Sequence, residues 1–300
     1  MLLQGYESHP WIKQELRRLS TVSLPMALLY AFTDLAIILL LGIAAVTGLS
    51  RIPLAIWIPL YVLLTLPAAR QMRGLECLVH EASHYNWVRK HRLNDNLANM
   101  LAAWPVLSQV ATYRKTHLLH HLRLGTDADT DLIRWRQLKL HELDRNRPIA
   151  FMIGLAKRIV PYVPGWWWAI GVDPATITRF ALWHVLLIGL IAAFTFSVPT
   201  AVLIWVFGWL IPLFVVLPVI RFIGELEEHN YPLTSVIEST NTNIGVVHRL
   251  LIHPHGDGYH TLHHIFPTIP FFRIGAVHRH LMAVDPDYAS KVPIRYRVLG

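Results

Sequence analysis

The sequence predicts an all-α integral membrane protein, with about four transmembrane helices in two hairpins beneath a cytoplasmic helical cap. Three observations carry this. Of the 300 residues, 54% are apolar and 15% charged, and the mean hydropathy is +0.40; a soluble domain is usually about a quarter charged. Four apolar stretches approach the ~20 residues that a spanning helix needs. The basic residues gather between the two pairs of stretches rather than within them.

In chain order, residues 9–24 read as an interfacial helix. Ile12, Leu16 and Leu19 share one face with Trp11 beside them, while Lys13, Arg17 and Arg18 project elsewhere. No cleavable signal peptide is expected. The spans are expected at 28–49, 52–69, 179–197 and 199–222, with the cap formed by 70–178 and 223–300 as parts of one domain. Ser50, Arg51 and Pro53 make the first hairpin tight, and Phe196 to Thr200 close the second. Residues 97–110 are apolar but short and contain Pro105, which suits a re-entrant or surface-lying piece. Trp166, Trp167 and Trp168 suit an interfacial aromatic anchor. Fifteen of the 27 Lys and Arg residues lie from Arg70 to Arg158, and the short turns hold only Arg51. The positive-inside rule therefore puts the long segment and both termini in the cytoplasm, with a bacterial inner membrane as the expected location. The net charge of +8 is read as contact with lipid, not nucleic acid. With Cys77 alone, an internal disulfide and cysteine–histidine zinc sites are excluded.

The eighteen histidines are the anomaly. Three clusters stand out: His80-Glu-Ala-Ser-His84, His117-Leu-Leu-His120-His121 and His260-Thr-Leu-His263-His264. On a helix, positions i, i+3 and i+4 share a face, so each box aims its imidazoles at one spot. Neutral imidazole suits iron, zinc and copper. Eight such residues exceed the needs of one tetrahedral ion, so the cap is expected to hold a di-metal site. Glu225 and His229, at i and i+4 after the last span, are placed to join it.

The ordered set resembles the membrane fatty-acid desaturase and hydroxylase superfamily. The acidic run Thr126 to Asp131 follows the second box, and Tyr259, Phe266 and Pro267 flank the third. The resemblance covers about Leu28 to Pro270. Three departures are visible: three residues rather than four inside the first box, Gly258 before Tyr259, and Glu225 where acyl-CoA desaturases carry asparagine. The resemblance implies a non-haem di-iron centre held by His80, His84, His117, His120, His121, His229, His260, His263 and His264, with Glu225 added. It implies O2 as co-substrate and a fatty-acyl or other lipid substrate to be desaturated, with hydroxylation or oxidative decarboxylation as the alternative. Electrons are expected from an external donor such as ferredoxin or rubredoxin with its reductase, docking on Arg89, Lys90, Arg92, Arg114 and Lys115; lipid headgroups are the competing partner of these charges.

Around the centre, Asp127, Asp129, Asp131, Glu228 and His255 are candidates to hydrogen-bond the ligand histidines. The aspartates read equally as helix caps, and His253 and His255 as loop residues. Asp34 and Trp104 are expected at the substrate tunnel, Asp34 alternatively as an interhelical bond. His9, His91, His141, His184, His248, His278 and His280 read as ordinary surface or core residues. Two other function classes compete. His80-Glu81-Ala-Ser-His84 fits the H-E-x-x-H of a zinc peptidase, but leaves the other boxes without a task. A metal transporter would place its ligands near mid-membrane, whereas these boxes lie outside the spans.

Overall fold

The computed structural model describes residues 5–7, 10–231 and 235–298. His9 lies outside the described residues. Four helices among them are long and apolar enough to cross a membrane. The first hairpin is α2 (Leu24–Leu49) and α3 (Leu54–Ser83), preceded by a short α1 (Pro10–Leu19). The second is α8 (Pro174–Thr195) and α9 (Val198–Glu228). Between them lie α4 (His91–Ala98), α5 (Val110–Arg123), α6 (Thr130–Gln137) and α7 (Pro148–Ala169). After α9 come α10 (His260–Ile265), α11 (Phe271–Val284) and α12 (Pro286–Lys291). Two-residue strands, β1 (Thr242–Asn243) and β2 (Ile294–Arg295), pair in parallel. The molecule is mostly helical, as composition and periodicity predict.

Three of the spanning helices start alike. Ser23, Asp173 and Ser197 cap α2, α8 and α9 through their side-chain oxygens, and a proline sits in each first turn. Both features answer the unpaired N–H groups of a helix start. In α2 and α8, leucines such as Leu40 and Leu186 point outward, as lipid-facing residues do.

Helices α3 and α9 run well past the expected ends. The 30 residues of α3 span about 45 Å, against a ~30 Å hydrocarbon core. The expected span ended at residue 69, just before Arg70 and Arg73. Instead Arg70 bonds Gln71, and Arg73 pairs with Asp257 and Glu228, so the helix continues to Ser83 and carries the first histidine box above the membrane. Helix α9 likewise continues to Glu228. It holds two π-helical stretches, at 206–210 and 212–216.

Helix α1 is amphipathic as expected, but its apolar face is occupied by the cap. Ile12 and Leu16 are buried with Ile265, Leu281 and Tyr288 in a core separate from that of the spans. Residues 97–110 form no span: a π turn and a 3-10 turn end at Leu107 with φ of 59°. The Pro105 carbonyl there accepts from Trp209 Nε1. The tryptophan triplet divides: Trp166 is buried and Trp168 exposed.

Candidate metal centre

The nine box histidines meet above the hairpins in two groups. His80, His84, His117, His121 and His263 form one; His120, His229, His260 and His264 form the other. Within the first, the Nε2 atoms of His80 and His263, and of His84 and His117, are 2.8 Å apart, and His121 stands 3.0 Å from both His117 and His263. In the second, His260 lies 3.0 Å from His229 and from His264.

Sequence spacing alone sent each box to one spot, and the structure divides two of them. His117 and His121 enter the first group and His120 the second; His260 and His264 enter the second group and His263 the first. The i, i+4 pair stays together, while its neighbour, a fraction of a turn away, faces the other group. Adjacent histidines thereby link the two groups.

The residues fit metal ions. An octahedral ion with metal–nitrogen bonds of about 2.1 Å sets neighbouring nitrogens about 3.0 Å apart. His120 Nδ1 donates to Asp129 Oδ1 at 2.7 Å, so its Nε2 holds a lone pair. That buried Nε2 has no hydrogen-bond partner among the described residues. Imidazoles must be neutral to bind metal. Burial first, then the neighbouring rings or Arg114, pushes His84, His117, His121, His260, His263 and His264 well below the usual histidine range, and burial beside His120 takes His229 to about 4. His120 runs the other way. Against its burial, Asp131 and Asp129 raise it to about 9; the same negative surroundings favour a metal cation.

The acidic run performs both expected tasks, through one residue. Asp129 accepts from His120 Nδ1 and caps α6 by accepting from the Asp131 and Leu132 N–H groups. Asp131 stands 3.7 Å from His120 Nδ1 and bonds Arg134. Asp127 holds no ligand histidine: it is exposed and pairs with Arg136. A short, glycine-containing turn (residues 124–129) brings only the last carboxylate back over the box.

Glu225 lies outside both groups. Its carboxylate accepts from Arg134 Nε at 2.5 Å and from the Tyr162 hydroxyl at 2.9 Å. The i, i+4 relation to His229 fails because α9 ends at Glu228 and His229 is extended, with φ of −126° and ψ of 154°. Glu228 instead accepts from Arg221 and Arg73. His255 bonds Asp34 Oδ2 at 2.7 Å and ties the first span to the loop before the third box. Asp34 is thus bonded to a loop residue, not to a neighbouring span. Trp104 donates to Gln109.

Asp257 escaped the sequence reading. It bonds Arg73 at 2.5 Å and His253 at 3.0 Å, and stands 3.6 Å from His80 Nδ1. Against its burial, Arg73 and His253 hold it well below the usual carboxylate range. The available signal was an acid one turn before His260. Glu81 of the peptidase-like motif is buried and accepts from Asn86 and the Phe271 N–H, a structural task. Of the expected docking charges, Arg89 and Arg114 are tied to backbone carbonyls, whereas Lys90, Arg92 and Lys115 are exposed.

Beside the groups lies a cavity of about 30 Å³ that touches His80, His117, His120 and His260. Its other walls include Arg73, Tyr113, Arg221 and Glu228. A neighbouring space of about 20 Å³ shares Tyr113 and Arg221 and reaches Arg134 and Glu225. Past Arg134, a larger cavity of about 320 Å³ lies between α6 and α7 against Ile133, Gly165 and the exposed Trp168.

A family model described as "Fatty acid desaturase" matches residues 53–296. The dihydrorhizobitoxine desaturase of Bradyrhizobium elkanii is 26% identical over 285 residues, covering 88% of this chain and 77% of that protein. Four spanning helices, two imidazole groups above them and a family match along most of the chain agree: the protein belongs to the fatty acid desaturase family and is a desaturase-family oxidoreductase.

Proposed function

We propose that this protein uses O2 to convert a carbon–carbon single bond of its substrate to a double bond, with electrons from an external donor. The observation that carries this is the pair of imidazole groups, five and four nitrogens, in a chain matched by the desaturase family. His80, His84, His117, His121 and His263 would hold one iron, and His120, His229, His260 and His264 the other. Bound there, the two irons supply oxidation of an unactivated C–H bond. The reaction balances when the substrate loses two hydrogens, the donor gives two electrons, the medium gives two protons, and O2 leaves as two waters. The chain's own part is to keep His84, His117, His121, His229, His260, His263 and His264 neutral by burial, to fix the His120 ring through Asp129, and to exclude bulk water.

Desaturation is favoured over hydroxylation because the relative is, by name, a desaturase. The family's description suggests a fatty-acyl or related lipid chain. The active side faces the cytoplasm in this reading, because the loops bearing the boxes carry the basic residues. There the exposed Lys90, Arg92 and Lys115 suit an acidic donor such as ferredoxin or rubredoxin.

The test compares bacteria expressing wild type and His263→Ala, by mass spectrometry of lipid and aqueous extracts and by iron content of the purified proteins. A wild-type-specific product two mass units lighter than its precursor is expected. A product sixteen units heavier would make the protein a hydroxylase. Wild-type protein that binds no iron would sink both readings.

A further inference from the structure

We infer that α7 lies against the lipid leaflet on the cap side of the membrane, and that the cavity between α6 and α7 takes the apolar chain of a substrate entering sideways from that leaflet; the inference rests on the reading of a lipid chain as substrate.

Helix α7 is apolar on both faces. Phe151, Leu155, Tyr162 and Trp166 are buried against the protein. On the opposite side Ile149, Met152, Ile153, Val160 and Trp168 are each more than half exposed. Lys157 is the one charged residue among the exposed positions of the helix. A helix that is apolar all round belongs in a core or in lipid, and among the described residues none covers the outer face. It is no fifth span, because Lys157 and Arg158 stand at its middle. Arg158 is tied to the Leu138 carbonyl and to Glu142 of the cap.

Two features place the end of α7 at the membrane. Residues 170–173 alone join it to the spanning α8. Trp167 packs on Phe214 of the spanning α9, with ring centroids 6.0 Å apart. The apolar outer face of α7 thus continues into the lipid-facing surface of α8, and the long stem of Lys157 lets its charge reach phosphate headgroups.

The cavity opens at that same end. Trp168 and Gly165 of α7 wall it on one side and Ile133 of α6 on the other, with Thr130 and Gln137 adding polar groups. The guanidinium of Arg134 is turned away, onto Glu225 and Asp131. Arg134 offers the cavity its methylene stem: a Cβ on Gly165 would lie 3.3 Å from its Cδ and 3.8 Å from its Cγ. Gly165 therefore keeps this room open. At about 320 Å³ the space falls within the range of ligand pockets, about 300–1,000 Å³. Thr130 and Arg134 also wall the inner space that touches His117 and His120, so a chain in the cavity lies one layer of side chains from both imidazole groups. Another space, of about 230 Å³, reaches His229, but Arg145, Arg295, His141 and Asn230 line it; a methylene chain would strip their water and return no hydrogen bonds.

The test uses the full-length, iron-loaded protein in phosphatidylcholine nanodiscs. Nitroxides on Ile153→Cys and Val160→Cys are compared for access to O2 and to a water-soluble nickel chelate. Leu186→Cys is the lipid reference and Asp127→Cys the water reference; Cys77 is buried. Both α7 positions should match Leu186. Diazirine-bearing palmitate and diazirine-bearing phosphatidylcholine then report the cavity, by mass spectrometry of the photolabelled peptides, and separate a free acid from a phospholipid as the source of the chain. At least one should label α6 and α7 around Ile133 and Trp168. Gly165→Leu should reduce that labelling about tenfold or more, with iron content and the labelling of α8 unchanged; the wild-type map stands by itself if this variant does not fold. Chelate access at Val160 equal to that at Asp127 overturns the inference. So does labelling confined to Trp135 and Tyr231 or to the spans, and so does cavity labelling that survives Gly165→Leu. These readouts are separable from the product assay: a labelled cavity without a lighter product would remove the desaturase reading and leave the chain site standing, and a lighter product without cavity labelling would do the reverse.

Discussion

At the scale of single residues, the two imidazole groups depend on partners outside the boxes. Asp129 is completely buried, accepts the Nδ1–H hydrogen bond of His120 and so keeps its Nε2 directed at the second group. Loss of such a partner costs about 10–100-fold in metal affinity or activity. Asp129→Asn should therefore weaken iron binding by that order at the second group and leave the first intact, read as iron per chain falling by half on titration. His278 sets a pH dependence elsewhere in the cap. It is buried on α11 against Tyr288 of α12 and the Tyr259 ring. Burial, then Arg279 and Arg249, lowers it to about 4. Its folded value lies below the unfolded one of about 6.5, so the unfolded chain binds the extra proton. The stability it contributes is whole above about pH 6.5 and is lost as pH falls toward 4, by about 2 kcal/mol. His278→Gln keeps an acceptor for Tyr288 and does not titrate. Its melting temperature should fall less than that of wild type over the same pH range.

At the scale of elements, the spans are held together where side chains are absent. A Cβ at Gly208 of α9 would lie 2.6 Å from the Cα of Gly42 in α2, and one at Gly42 would lie 2.8 Å from the Ile204 carbonyl. The two backbones touch, as small residues permit in membrane helix packing. Gly42→Val should push the hairpins apart and cost about 1–3 kcal/mol, seen as a lower melting temperature in detergent. Gly189, whose added Cβ would meet nothing within 4 Å, serves as the control: Gly189→Ala should leave melting unchanged. Helices α3 and α9 matter by their length. Each carries charge beyond the membrane, and that charge is neutralised, Arg73 by Asp257 from the loop before α10 and Arg221 by Glu228 of its own helix.

At the scale of the whole molecule, the centre is assembled from four separate stretches of chain: His80 and His84 from the end of α3, three histidines from α5, His229 after α9, and three from α10. Metal that binds only this assembled arrangement stabilises the fold. On the proposed di-iron reading, stripping the metal with a chelator should lower the melting temperature of the wild type markedly, and restoring iron should recover it. His120→Ala, missing one imidazole of the second group, should recover less.

The spans, the cap and the nine histidines were legible in the sequence because hydrophobic length and the i, i+3, i+4 pattern are properties of one continuous stretch of chain. The tertiary structure alone decided how those histidines divide, since which way His120 or His264 faces depends on how α5 and α10 are rotated against α3 and α9. It also decided the partners. Glu225 looked like a ligand by its spacing from His229, but the helix ends between them and Arg134 with Tyr162 claims the carboxylate. Asp257 and Arg73, 184 residues apart in the chain, gave no local sign of meeting, and the charged wall beside the imidazoles exists only where α3, α5, α6 and α9 converge. Pairing between distant charges is fixed by packing, and one-dimensional spacing carries no record of it.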